Sequence, residues 1–140
     1  MSSYRAVVAD DTEGVNSFLT WVLEETGYFE EVGSFFDGYS ALKYCSEYRD
    51  DVELAMIDVS MPVGGHSKNQ TQGGLYLVKG LKRKEHPVYP DGTILISGYS
   101  EEHVLKPFKD LGVYRILGKP FKREEIEKVV GEIMSKHLEK

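Results

Sequence analysis

Four short, uninterrupted apolar runs recur along this chain, and each is closed by a polar side chain. They lie at residues 5–9, 54–58, 93–97 and 115–118, with Asp10-Asp11 following the first, Asp58 and Ser97 ending the second and third, and Lys119 following the fourth. Continuous rather than alternating hydrophobicity reads as parallel strands buried on both faces. A weaker fifth strand is expected at Glu31–Phe35. Stripes at helical spacing fill the gaps: Val15, Phe18, Leu19, Val22 and Leu23; Ala41, Leu42, Cys45 and Tyr48; Leu75, Val78 and Leu81. Two more follow: Val104, Leu105, Phe108 and Leu111, then Ile126, Val129, Val130, Ile133 and Met134. Gly27 and Gly112 stand where helices end. Strict strand–helix alternation predicts an α/β fold with helices on both faces of a parallel sheet. Ligands of such sheets bind beyond the carboxyl ends of the strands, where strand order reverses. All the polar residues named above fall on that edge.

The bulk properties narrow the partners. At 140 residues the chain suits one domain with a sizeable core. A net charge of −6 argues against direct binding to nucleic acid or to an anionic membrane surface. The single cysteine, Cys45, excludes an internal disulfide and lies on an apolar stripe, as a core residue would. No segment is apolar enough to span a bilayer, and the first strand starts too early to leave room for a signal peptide, so a cytoplasmic protein is expected. No output domain is expected after the last helix.

Two stretches break the pattern. Residues 63–74 are polar and glycine-rich and read as mobile rather than packed, and Pro107 interrupts the fourth stripe. The helix there is expected either to kink or to begin near Pro107, with 100–106 in a separate turn. His66, His86, His103 and His137 have no metal-ligand spacing and read as solvated, and Lys82-Arg83-Lys84 reads as the charged end of the third helix.

The chemistry follows from the edge. At about 5 Å separation, each pair among Asp10, Asp11 and Asp58 would repel by roughly 3 kcal/mol at an effective dielectric of about 20. A cation relieves that, and oxygen ligands with room for water suit magnesium, or manganese in its place. Asp58 can act as nucleophile toward phosphorus, with Lys119 and the metal neutralising charge and Ser97 donating to a phosphoryl oxygen. Gly98 leaves room for the group to approach. The plainer alternative makes Asp10 or Asp11 a cap of the first helix, with Glu13 in its first turn.

Together these residues resemble the receiver domain of two-component response regulators over essentially the whole length, 1–140. Asp10-Asp11 resemble that family's acidic metal-binding pair and Asp58 its phosphoacceptor. Met61-Pro62, Ser97-Gly98 and Lys119-Pro120-Phe121 match the motifs that accompany them. The resemblance implies a flavodoxin-like (βα)5 three-layer sandwich, five parallel strands in order 2-1-3-4-5. It also implies a cis Lys119–Pro120 bond, the Ser60 main-chain carbonyl as a further metal ligand, and no enzymatic turnover beyond the domain's own phosphorylation and slow dephosphorylation. The implied partners are a sensor histidine kinase or histidine phosphotransfer protein, a downstream protein target, and a second copy pairing through the fourth and fifth elements. Two other readings stay open, an aspartyl-nucleophile phosphohydrolase and a phosphorylation-independent interaction module.

The chain also departs from the family. An insertion of about eight residues, at about 63–73, separates the acceptor strand from the third helix and is expected to overhang the site. Ile116 occupies the family's aromatic switch position. Tyr114, two residues earlier, is expected on the same side of the strand as a substitute. Ser60 and Tyr99 stand at positions that tune acyl-phosphate lifetime. Neither side chain orients an attacking water through a carboxylate or carboxamide, and slow self-dephosphorylation is implied.

Overall fold

The computed structural model describes residues 4–83 and 92–138. Its five strands are β1 (Tyr4–Ala9), β2 (Phe29–Phe35), β3 (Val52–Asp58), β4 (Thr93–Ser97) and β5 (Arg115–Gly118). The helices between and after them are α1 (Glu13–Glu25), α2 (Gly38–Glu47), α3 (Gly73–Arg83), α4 (Glu102–Asp110) and α5 (Arg123–Leu138). All the strands pair in parallel, in the order β2-β1-β3-β4-β5. The expected flavodoxin-like architecture is therefore present, and strand order reverses between β1 and β3.

Side-chain alternation along the central strands divides the core into two layers. Ala6, Val8, Leu54, Met56, Ile94 and Ile96 face α1 and α5. Val7, Ala9, Ala55, Ile57 and Leu95 face α2, α3 and α4. The weak pattern of β2 has a simple cause: it is an edge strand, with Glu30, Glu31 and Ser34 exposed, and it starts two residues earlier than its sequence suggested. Gly27 and Gly112, at φ 78° and 84°, adopt the left-handed conformation that follows a helix end.

Pro107 lies inside α4, which begins at Glu102. The expected separate turn at 100–106 and a start near Pro107 are thus corrected. The short helix bonds Val104 and Leu105 back to Glu101, so its first turn is closed before the proline's missing N–H matters. Cys45 is fully buried, and burial pushes its thiol up to about 12. His66 and His103 are exposed; His86, Lys84 and the side chain of His137 lie outside the described residues.

The 63–72 stretch is not loose. Val63 N–H bonds to the Asn69 carbonyl, and the Asn69 side-chain oxygen accepts from the Thr71 and Gln72 amides. Gly64 and Gly65, both at positive φ, let the chain turn tightly against Asp37 and Tyr39, where a Cβ on Gly64 would stand 2.4 Å from the Asp37 carboxylate. Pro62 and Val63 carbonyls accept the Gly38 and Tyr39 amides, which fixes the loop to the start of α2. Among the described residues its bonds reach α2 and not Asp58, Ser97 or Lys119. Local side-chain-to-backbone bonds, rather than apolar burial, order this polar segment.

Candidate functional site

The ends of β1, β3, β4 and β5 converge. Asp10 is fully buried just past β1; its Oδ1 accepts the Thr12 amide at 2.8 Å and its Oδ2 accepts from Lys119 Nζ at 2.8 Å. Thr12 occupies the cap position of α1 with no side-chain cap bond, so neither Asp10 nor Asp11 serves as the cap. Asp11 is exposed. Asp58, 4% exposed at the end of β3, accepts from Lys119 Nζ at 3.3 Å and from the Ser60 amide. Lys119 follows β5, its amide bonded to the Ser97 carbonyl at 2.7 Å and its peptide bond to Pro120 cis. Ser97 is buried at the end of β4; its hydroxyl donates to the Tyr99 carbonyl at 3.0 Å and accepts the Tyr99 amide at 2.8 Å. Gly98 borders open space, and the Tyr99 side chain is 47% exposed.

Charge in this crevice is out of balance. Asp10, Asp11 and Asp58 each place an oxygen within 4.8 Å of the others. Lys119 is the ammonium that bonds to this group, nearer to Asp10 than to Asp58. Burial, and then the charge of Asp10, push the Asp58 carboxyl up to about 6, against the opposing pull of Lys119 and the Ser60 amide. For Lys119, burial pulls downward but the bond to Asp10 and the two carboxylate charges outweigh it, so the net shift is upward. A cluster of hard oxygens that remains short of positive charge fits a small divalent cation such as magnesium.

The Asn16 side chain was not anticipated. It is buried on α1, and its amide donates to the Asp10 carbonyl at 2.7 Å and the Phe35 carbonyl at 2.9 Å. It therefore ties the ends of β1 and β2 to the first helix. The signal was present in its spacing, since Asn16, Leu19 and Leu23 share one helical face and a polar group there must be bonded. Asn16→Ala is expected to cost about 1–3 kcal/mol, read by urea denaturation, because it strips donors from buried carbonyls.

Tyr114 and Ile116 do not share a side. Tyr114 precedes β5 and packs with the α1 and α5 layer, under Arg115 and Lys136, while Ile116 packs with the α2, α3 and α4 layer. Strand alternation does not extend to Tyr114, because the chain bends there just before β5, even though its amide bonds to the Thr93 carbonyl. The expected substitution of one for the other is corrected.

Beside Lys119 and Pro120 runs an apolar groove of about 440 Å³, lined also by Gly14, Val15, Phe18 and Phe121. Phe18 stacks on Phe121 with ring centres 6.2 Å apart, and the adjoining Trp21 is 46% exposed.

Comparison with known proteins gives a consistent result. A family model described as the response regulator receiver domain matches residues 6–131. A curated protein-glutamate methylesterase/protein-glutamine glutaminase from Syntrophomonas wolfei is 26% identical over 138 residues, covering 94% of this chain. The chain spans only 35% of that protein's length. Among solved structures, the signal receiver domain of NarL from Mycobacterium tuberculosis is 24% identical with a TM-score of 0.78, covering 96% of this chain and 98% of that one. The chemotaxis protein CheY4 of Vibrio cholerae is 22% identical with a TM-score of 0.76, covering 94% and 99%.

Proposed function

The chain belongs to the response regulator receiver domain family, whose members serve two-component phosphorelay signalling, and from that premise we propose that Asp58 is its phosphoacceptor. The observation that supports this most is the placement of Asp58 at a buried strand end, 3.3 Å from Lys119 and within 4.8 Å of Asp10 and Asp11. Receiver domains bind magnesium through acidic residues. Here Asp10, Asp11, Asp58 and the Ser60 carbonyl would hold it. When bound, the ion would supply positive charge to offset the negative charge of the phosphoryl oxygens.

The residues of the chain carry the rest. An Asp58 oxygen forms a bond to phosphorus as the P–N bond of a phosphohistidine breaks, and the imidazole nitrogen keeps the electron pair. Lys119 neutralises developing charge, and because Asp10 holds it more closely than Asp58 does, the nucleophile is not fully quenched. Ser97 stands at the adjacent strand end as a donor. Tyr99 and Ser60 offer no carboxylate or carboxamide beside the acceptor, which favours a long-lived acyl phosphate.

Receiver domains interact with histidine kinases and downstream effectors. The apolar groove at Phe18, Phe121 and Pro120 suits a phosphodonor helix, because it adjoins Lys119 and is mostly hydrocarbon. No helix among the described residues is long and apolar enough to cross a membrane. Intact-mass analysis after incubation with acetyl phosphate and magnesium tests the assignment. The wild type is expected to gain one phosphoryl group and Asp58→Ala none. Labelling that persists in the variant, or steady turnover without labelling, contradicts it. Magnesium alone is expected to raise the melting temperature of the wild type, since the ion binds the folded site.

A further inference from the structure

A second surface lies on the opposite side of the sheet from the apolar groove beside Lys119. Between α2 and α3 runs a groove of about 410 Å³ lined by Tyr39, Leu42, Lys43, Tyr76 and Arg83, with the Ser46 hydroxyl at its wall. Tyr76 also lines a second groove of about 360 Å³ between α3 and the 63–72 loop, together with Val63, Asn69, Gln72, Leu75 and Lys79. The first groove belongs to the α2, α3 and α4 layer and the phosphodonor groove to the α1 and α5 layer. The two can therefore be occupied together.

The character of this surface runs against that of the chain. The protein carries a net charge of −6, yet among the described residues no acidic one lines either groove. Lys43, Lys79 and Arg83 are exposed and form no ion pair among the described residues. Among the described residues the nearby acids do not reach in: Asp37 is engaged with Ser40, and Glu47 does not line the groove. Between the cations stand apolar and aromatic groups, with Tyr39 46% exposed. The loop that forms one wall is held in place by its own bonds and by α2, so the groove is preformed.

We propose that this joined groove docks an acidic, extended segment of a protein partner, with carboxylates meeting Lys43, Lys79 and Arg83 and apolar side chains entering between Tyr39, Tyr76 and Leu75. Charge complementarity selects the sign, and the hydrocarbon between the cations selects polypeptide over nucleic acid. Three spaced cations on an acidic protein release few counterions from a phosphate backbone. The proposal goes beyond the phosphoacceptor reading and does not depend on it.

The test is a titration of the ¹⁵N-labelled protein with a short acetylated peptide of alternating Glu and Leu, followed by amide shifts. Shifts are expected within residues 39–46 and 63–83. Lys43→Glu with Lys79→Glu is expected to weaken binding at least about tenfold, whereas Lys106→Glu with Lys109→Glu, an equal charge change on α4, leaves it intact. Acetyl-phosphate labelling of the Lys43/Lys79 variant is expected to match wild type, which separates this surface from the acceptor site. The proposal is overturned if the peptide causes no shifts, if both double variants weaken it equally, or if a single-stranded oligonucleotide binds the groove more tightly than the peptide.

Discussion

Lys119→Met is expected to slow phosphorylation of Asp58 by at least about a hundredfold, the usual scale for removing one positioned donor from a developing anion. The same change is expected to destabilise the magnesium-free protein by about 2–4 kcal/mol, because two buried carboxylates lose the cation they share. Methionine keeps most of the chain's packing volume, so the loss reports charge rather than a cavity. Lys119 remains partly open to water, with 27% of its side chain exposed, which places the cost below that of a fully buried pair. A labelling time course with acetyl phosphate and urea denaturation in magnesium-free buffer give the two readouts. An unchanged labelling rate would remove Lys119 from the mechanism; unchanged stability would mean the 2.8 Å contact with Asp10 carries no net energy.

Asp58→Asn should act in the opposite direction. Its carboxyl rises from an ordinary 3.8 to about 6 in the fold, which means the folded site prefers the neutral form. Roughly two pKa units at about 1.4 kcal/mol each give up to about 3 kcal/mol of penalty at neutral pH. The sign sets the pH window. Below about pH 4 the carboxyl is protonated in both states and no penalty exists; as pH rises from about 4 to about 6 the unfolded chain ionises first, and the folded state loses stability until the penalty is complete above about pH 6. The amide variant escapes this, so its advantage over wild type should be near zero at about pH 4 and largest above about pH 6. Urea melts across that range without magnesium measure it. A constant offset between the two proteins would show that Asp58 is not the group under strain. The double variant with Lys119→Met should lose less than the single lysine change, since one of the stranded carboxylates is gone.

Much of this arrangement was visible in the residues. The central strands announce themselves because burial on both faces demands unbroken hydrophobicity, and 93–97 and 115–118 match to the residue. Asp10, Asp11, Asp58, Ser97 and Lys119 converge because each stands at or just beyond a strand's carboxyl end, a position that topology alone brings together. The misses have equally physical causes. β2 is half solvated and so lacks a strong pattern. Asn16 drew no notice, because the carbonyls it serves become neighbours only after folding. The 63–72 loop looked mobile because its order rests on Asn69 and on positive-φ glycines, which leave no hydrophobic trace. Tyr114 was misplaced because alternation was carried one residue past the point where the strand begins.

The Ser97 hydroxyl owns a single hydrogen, and it is already committed to the Tyr99 carbonyl. A newcomer that takes that hydrogen breaks the bond to the Tyr99 carbonyl and leaves Tyr99 held to Ser97 by its amide alone, in a loop that leads within a few residues into α4.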